Sequence, residues 1–510
     1  MGKFIRPIIL YILLLSACFS AGAAKPKKQP TDTVGLHCRG VMESFPKVTE
    51  GLSDRLDYYI SEGYTHYFYC PSDDRYCNRW GWKFLYNDGD RHAVKAIRTL
   101  CESKDMEFVW TLNPGDAYRW NEDDYKFMLD KLVMMYYNGI RSFAVRLSGS
   151  ENAVLAVRDS LMKDFVGSRP EEVSLYMIDA MAVADYPSAG ASAVESFMKG
   201  YHFDEAFNAE AKRENAVICN LSASDEFAKI ALVAVADYAR DPKSYSTYAS
   251  MTGAVKSLHG ESKEALVTFL CHTGDERGSA DVPVFSLAEW SEEKADSLYK
   301  EFDKIENVPT LIKKSTDTEI VAALAPWLAE FGRLGTRGKN VLKCMEYYHK
   351  GKLGAFWQTY LTTVMTPDEI ASYRQYPVGA TKLYPFCEEA MTAMKEGFTS
   401  VLTGKSVLHN LATTLYAAPN AALDSDFTTS VHTNGHLEFA IPAEANTCCL
   451  LTGTLPEGKR VIFRQIRTDG SLVAEFIVKS PYTRFDIKEG AVKVDILGDV
   501  EVYENIFVYL

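Results

Sequence analysis

The sequence predicts a multidomain α/β protein: a TIM-like (β/α) barrel, incomplete, followed by an all-α helical domain and a small C-terminal β-sandwich. Three observations carry that prediction. From Gly35 to about Tyr248 short apolar strands alternate with amphipathic helices, the rhythm of βα units and a parallel sheet. After roughly Pro283 the strands stop and 3.6-residue periodicity takes over. From about Asn420 the pattern changes again, to alternating strands broken by turn dipeptides. A chain of 510 residues with 47% hydrophobic content has ample material for two to four cores of this kind.

The chain opens with Lys3 and Arg6 and then the apolar run "PIILYILLLSA". That run is about half the ~20 residues a membrane-spanning helix requires, which is the pattern of a secretory signal over residues 1–24. Leu15-Ser16-Ala17-Cys18 resembles a bacterial lipobox, in which Cys18 would be acylated; "AGAA" just beyond offers ordinary signal-peptidase cleavage instead. Residues 25–34, rich in Pro and Lys, cannot build a core and read as a tether. The expectation is an exported lipoprotein of the cell envelope, periplasmic or at the cell surface, held to the membrane by an N-terminal acyl anchor.

The barrel is expected over 35–282. Six strands are legible in it: "GVMESF", "HYFYC", "EFVWTL", "SFAVRL", "SLYMID" and "NAVICNL". Between them lie helical segments such as "DRHAVKAIRTLCESKD" and "DDYKFMLDKLVMMYYNG", with acids in the first turn and a glycine ending the second. Six strands fall short of an eight-fold ring. The helical domain is expected over 283–415, on "SLAEWSEEKADSLYKEFDKI", "TEIVAALAPWLAEFGRLGTRGKNVLKCMEYYHKG" and "PDEIASYRQYP". The sandwich is expected over 420–510, with six strands from "HLEFAIP" to "VEVYENIFVYL" and turns at Asn434-Gly435 and Asp469-Gly470.

Composition narrows the function classes. The formal net charge is -13 with the signs interspersed, so no basic stripe faces nucleic acid, and a neutral or cationic ligand is the easier expectation. The eleven cysteines are spread along the chain without CxxC pairs, which leaves no zinc or disulfide framework and no cofactor motif. Cys448 and Cys449 sit in a strand-like run where neighbours point to opposite faces, against a shared metal.

Barrel chemistry concentrates at the C-terminal ends of the strands. The stretch "RSFAVRLSGSE" is therefore notable, because its strand runs into Leu147-Ser148-Gly149 and delivers no carboxylate. Asp73 and Asp74 in "SDDR" read either as cleft-lining acids or as a helix start in a solvated loop. Asp116, after "NPG", has the same two readings, and Trp80 and Trp110 read as packing or as sugar platforms.

"RGVMESF", "YYISEGYTHYFYCPSDDRY", "FVWTLNPG" and "YYNGIRSFAV" together resemble, in sequence and order, the barrel of family 84 glycoside hydrolases, the β-N-acetylglucosaminidases that include O-GlcNAcases. "NAVICNLSASDEFAKIALVAVADYARDP" and "TEIVAALAPWL" are similar to the family's following segments, so the resemblance spans roughly residues 36 to 400. It implies substrate-assisted hydrolysis, an exception to the two-carboxylate scheme, in which one Asp orients the sugar's acetamide and its neighbour protonates the leaving oxygen. The positions matching that Asp pair hold Ser148 and Gly149. Each acid or base contribution is about 10²- to 10⁴-fold, so losing both removes on the order of 5 to 11 kcal/mol of transition-state stabilisation.

Further departures point the same way. The family's sugar-binding Gly and aromatic become Ser44-Phe45-Pro46-Lys47, the Lys before its Asp-Asp run becomes Ser72, and two strands bearing a sugar-holding Asn and Asp are missing between Tyr186 and Val217. Tyr186 falls on a tyrosine that contacts the acetamide, and Asn220 on a ligand-binding Asn; the bland readings are a packed aromatic and a turn residue. Three functions follow as expectations: an inactive, outward-facing protein that binds glycans carrying N-acetylhexosamine; an active hydrolase with carboxylates relocated among Asp73, Asp74, Glu151 and Asp185; or a scaffold whose partner is another envelope protein.

Overall fold

The computed structural model describes residues 35–510 apart from 80, 170–171, 187–190, 259–261, 274–282, 289, 315–317 and 416–419. The expected signal, tether and Cys18, and also Trp80, lie outside the described residues. No helix among the described residues is long and apolar enough to cross a membrane.

The chain forms two compact units. One holds residues up to Ala184 with Phe203–Asn220 and Val235–Tyr245; the other holds Asp185–His202, Leu221–Ala234 and Ser246–Leu510. Helix Lys263–Thr273 packs on helix Glu292–Ile312 through His272, 2.9 Å from Glu301, and its Phe269 meets Phe331 of helix Thr318–His349.

The first unit is built on a seven-stranded sheet with strands β1 (Cys38–Glu43), β2 (His66–Tyr69), β3 (Glu107–Leu112), β4 (Ser142–Val145), β5 (Ser174–Met177), β6 (Ala182–Tyr186) and β7 (Ala216–Leu221), in the spatial order β5-β4-β3-β2-β1-β7-β6. The ladders from β1 through β5 are parallel. All six expected strands are present, and the reading missed the seventh, β6. That strand follows β5 after one 3₁₀ turn, Ile178–Ala180, too short an interval for a βα pattern to show. The ring is thus an incomplete TIM-like barrel. Between β6 and β7 lie two helices, Ala191–Lys199 and Glu205–Glu214, in place of further strands.

Local sequence explains the flanking helices. Asn87 and Asn121 accept from the amides of Asp90 and Asp124 and so cap helices Asp88–Ser103 and Glu122–Tyr137. Helix Leu52–Glu62 ends at Gly63, whose φ of 95° is the left-handed value glycine tolerates.

Two buried charges tie this unit together. Glu43 on β1 is fully buried and receives the Arg55 fork at 2.6 and 2.9 Å, plus the Tyr59 and Tyr67 phenols at 2.6 and 2.9 Å. Every lone-pair direction is answered, which is the condition for a buried carboxylate to be tolerated. Lys131 is fully buried too, donating to the Tyr76 and Trp82 carbonyls at 2.6 and 2.8 Å and pinning the loop after β2 to its helix; burial pulls its amine down to about 8.

In the second unit helices Glu292–Ile312 and Thr318–His349 pair along their length, and Pro367–Gln375 begins with a capping box between Thr366 and Glu369. The sandwich has eight strands: β8 (Val431–His432), β9 (Gly435–Ala440), β10 (Thr447–Thr452), β11 (Ile462–Ile466), β12 (Leu472–Ile477), β13 (Tyr482–Asp486), β14 (Lys493–Gly498) and β15 (Glu501–Val508). They form two four-stranded sheets, β13-β10-β15-β8 and β12-β11-β14-β9. The six expected strands are among them. Cys448 joins the apolar core with Phe463 and Phe507, while Cys449 faces the Leu402 carbonyl, so the neighbours do take opposite sides.

Glu504 on β15 supplies a pH test. Burial, reinforced by the nearby Asp424 charge, pushes its carboxyl up to about 8, against a lowering pull from the Ser425 amide. A folded-state value above the unfolded one favours the protonated form, so this contribution is complete below about pH 4.5 and is lost as pH rises toward 8. Thermal melts of wild type should lose stability over that window, by up to a few kcal/mol from this group. Glu504→Gln should flatten that dependence; an unchanged slope would show that Glu504 does not carry it.

Candidate functional site at the C-terminal mouth of the barrel

Side chains alternate between the two faces of a strand, so one interior position fixes the rest. The interior cluster contains Cys38 and Met42 of β1, Phe68 of β2, Cys70 just beyond it, Val109, Ala144, Tyr176, Val183, Ala216 and Ile218. Three layers result. At the N-terminal end Glu107 accepts from Ser142 at 2.5 Å and lies 3.2 Å from His66, whose Nε2 is also 3.2 Å from the Tyr176 phenol. The His66 hydrogen bond is the largest influence holding the Glu107 carboxyl down at about 2. The middle layer is apolar and closed. A Cβ on Gly40 would come within 2.5 Å of the Phe68 ring, so glycine there is what lets that ring fill the axis.

Continuing the alternation one step brings Ser44, Cys70, Asn113, Arg146 and Asn220 to the C-terminal mouth. Ser44 donates to Asn220 Oδ1 at 2.6 Å, and Asn113 reaches the Cys70 sulfur at 3.8 Å. Burial pushes the Cys70 thiol up to about 11, against a lowering pull from the Arg146 charge. This thiol is therefore no nucleophile near neutral pH.

The loop after β4 is shaped by an acid the sequence reading did not single out. Asp179, on the 3₁₀ turn between β5 and β6, accepts from the Leu147 and Ser148 amides at 2.6 and 3.3 Å. It thereby holds Ser148 at a φ of 52°, a left-handed conformation that costs a non-glycine residue about 1 kcal/mol. Gly149 is covered by Trp120: a Cβ there would lie 2.0 Å from the indole. Trp120 is braced in turn by Tyr118, edge-to-face at 5.1 Å.

The other sequence-predicted residues have structural partners. Asp74 accepts from the Tyr69 and Tyr86 phenols at 2.9 and 2.7 Å and from the Tyr76 amide, and Asp73 accepts from the Lys47 amide at 2.9 Å. Both line a cleft of about 420 Å³ with Tyr76 and Asp90. Asp116 is exposed and ion-paired with Arg79 at 3.0 Å; Glu151 pairs likewise with Arg213 at 2.9 Å. Asp185 is exposed. Trp110 is fully buried with its indole nitrogen on Tyr86, which makes it core packing. Tyr186 is 1% exposed and donates at 2.8 Å to Asp225, which also accepts from the Ala228 amide at the start of helix Glu226–Arg240. Asn220 is buried and belongs to the mouth. The mouth thus gathers Asn220 with Ser148 and Gly149. Period-two counting from Ser142 and Ala144 was the signal that could have added Arg146; no local signal marks Asp179 or Trp120.

The first unit is an incomplete TIM-like barrel. Residues 39–177 match the family model described as beta-N-acetylglucosaminidase. Three solved structures share the fold. The structure of CpGH84B has a TM-score of 0.53 at 17% identity, covering 70% of this chain and 77% of that one. A mutant of the Thermobaculum terrenum O-GlcNAc hydrolase gives 0.52 at 14%, over 72% of this chain and 98% of the other. CpGH84D gives 0.50 at 15%, over 71% and 75%. The barrel segment 39–177 thus carries the β-N-acetylglucosaminidase match, and the chain shares the fold of those three solved structures.

Gly149→Asp should force the Trp120 indole aside, costing about 1–3 kcal/mol and changing tryptophan emission. Adding Trp120→Ala should remove that cost; a stable, spectroscopically silent Gly149→Asp would refute the close packing. Tyr186→Phe should cost about 1 kcal/mol in chemical denaturation through loss of the Asp225 bond, and no change in midpoint would show that bond to be idle.

Proposed function

We propose that the chain is an outward-facing, catalytically inactive β-N-acetylglucosaminidase-like protein that binds glycans carrying N-acetylhexosamine. The observation that carries this reading is the identity and packing of positions 148 and 149. They match the family's acid pair in the sequence resemblance, yet hold a hydroxyl and a hydrogen. A serine hydroxyl does not donate a proton to a departing oxygen near neutral pH, and the indole over Gly149 occupies the direction an acid there would take. Asp179, the carboxylate that reaches this loop from the turn between β5 and β6, is engaged with two backbone amides.

Binding makes weaker demands than turnover. It needs hydrogen-bonding groups and apolar or aromatic surface around a concave mouth, and Ser44, Asn113, Asn220 and Trp120 supply such groups. In this reading the protein is exported and held in the cell envelope through an acylated Cys18, with the tether presenting the barrel to external glycans.

The test is a pair of measurements on the full chain in mild detergent. Immobilised N-acetylglucosamine oligosaccharides should retain the protein, and aryl N-acetyl-β-glucosaminides should release no chromophore. Release that disappears in Asp179→Asn would instead establish a hydrolase with a relocated acid. Absence of retention on every N-acetylhexosaminyl glycan would end the binding proposal.

A further inference from the structure

We infer that the barrel mouth takes an anionic glycan, holding a carboxylate or sulfate ester of the sugar on the Arg146 guanidinium. The inference rests on the glycan-binding reading above and names the ligand class for the same site. Arg146 follows Ser142 and Ala144 at period two, and both face the interior, one on Glu107 and one in the apolar plug. The β3–β4 register, Val109 against Ser142 and Thr111 against Ala144, sets Asn113 beside it. Arg146 is partly buried, yet its guanidinium takes part in no ion pair or side-chain hydrogen bond among the described residues. Other arginines of this unit are ion-paired: Arg55 with Glu43, Arg79 with Asp116 and Arg213 with Glu151.

A partly desolvated cation without a counter-charge is unfavourable, and proteins retain such exceptions where function requires them. Here it stands at the end of a parallel barrel where ligands bind. Below it lie Ala144, Val109 and Phe68, a low-dielectric floor that strengthens a contact made above. The guanidinium fork matches the paired oxygens of a carboxylate or sulfate, and Asn113 adds an amide beside it. The net charge of -13 does not oppose this, since exposed charges beyond about 8–10 Å are screened at physiological salt.

Titration calorimetry on the full chain decides it, with three N-acetylglucosamine oligosaccharides of equal length: one neutral, one containing glucuronate, one 6-sulfated. At least one anionic ligand should bind about tenfold or more tighter than the neutral one, with a preference that shrinks at high salt; which one does so identifies the source of the anion. Arg146→Gln should bring the ratio of anionic to neutral affinity, both measured on the variant, to about one, while Arg146→Lys should keep part of the preference. Equal affinity for all three in wild type, or a preference that survives Arg146→Gln in a protein with wild-type circular dichroism, overturns the inference while leaving glycan binding standing. If the Gln variant does not fold, the wild-type ratio and the Lys variant decide. Binding of none of the three would remove the glycan reading itself and this inference with it.

Discussion

Everything at the barrel mouth depends on how the sheet closes. Its two edge strands, β5 and β6, belong to one stretch of chain, Ser174–Tyr186, with a single 3₁₀ turn between them. Five peptide steps reach at most about 18 Å, so covalent continuity keeps the edges near each other where no ladder between β5 and β6 does. The interior cluster, drawing on all seven strands, fills the enclosed space. Asp179 sits on that joining turn, and its carboxylate reaches the β4 loop. The turn that joins the two edges thus also carries the residue that shapes the loop of Ser148 and Gly149.

The barrel interior shows how layering separates structural from functional polarity. At the N-terminal end Glu107, His66, Ser142 and Tyr176 satisfy one another and leave little for a ligand. At the end of β1 the same holds for Glu43 with Arg55 and two phenols. At the mouth the polar groups are less fully committed, and Arg146 is the clearest case. Partly unsatisfied polar groups are costly in a core and useful at a rim, where a ligand completes them.

The acids considered as relocated catalysts illustrate why carboxylate counting misleads. Asp74 anchors two phenols and an amide, Asp73 an amide, and Asp116 and Glu151 each an exposed arginine. A catalytic pair must instead flank one bond with defined separation. Acid–base chemistry needs that geometry, whereas recognition of a sugar needs hydrogen-bonding groups and apolar or aromatic surface.

The amino-acid sequence determined by itself what periodicity and local chemistry encode. Six barrel strands, the capped helices after Asn87 and Asn121, the capping box at Thr366 and the opposite facing of Cys448 and Cys449 all follow from side-chain alternation, backbone capping and turn residues acting over a few positions. The absence of carboxylates at 148 and 149 was equally visible. What only the tertiary structure decided are pairings between residues far apart in the chain. Those are the indole of Trp120 over Gly149, Asp179 under the β4 loop, Ser44 on Asn220, Tyr186 on Asp225 and the strand β6 that adjoins β7. The reason is physical: a hydrogen bond or a van der Waals contact has a reach of a few ångströms, so which distant partners meet depends on ring closure and packing that no local window contains.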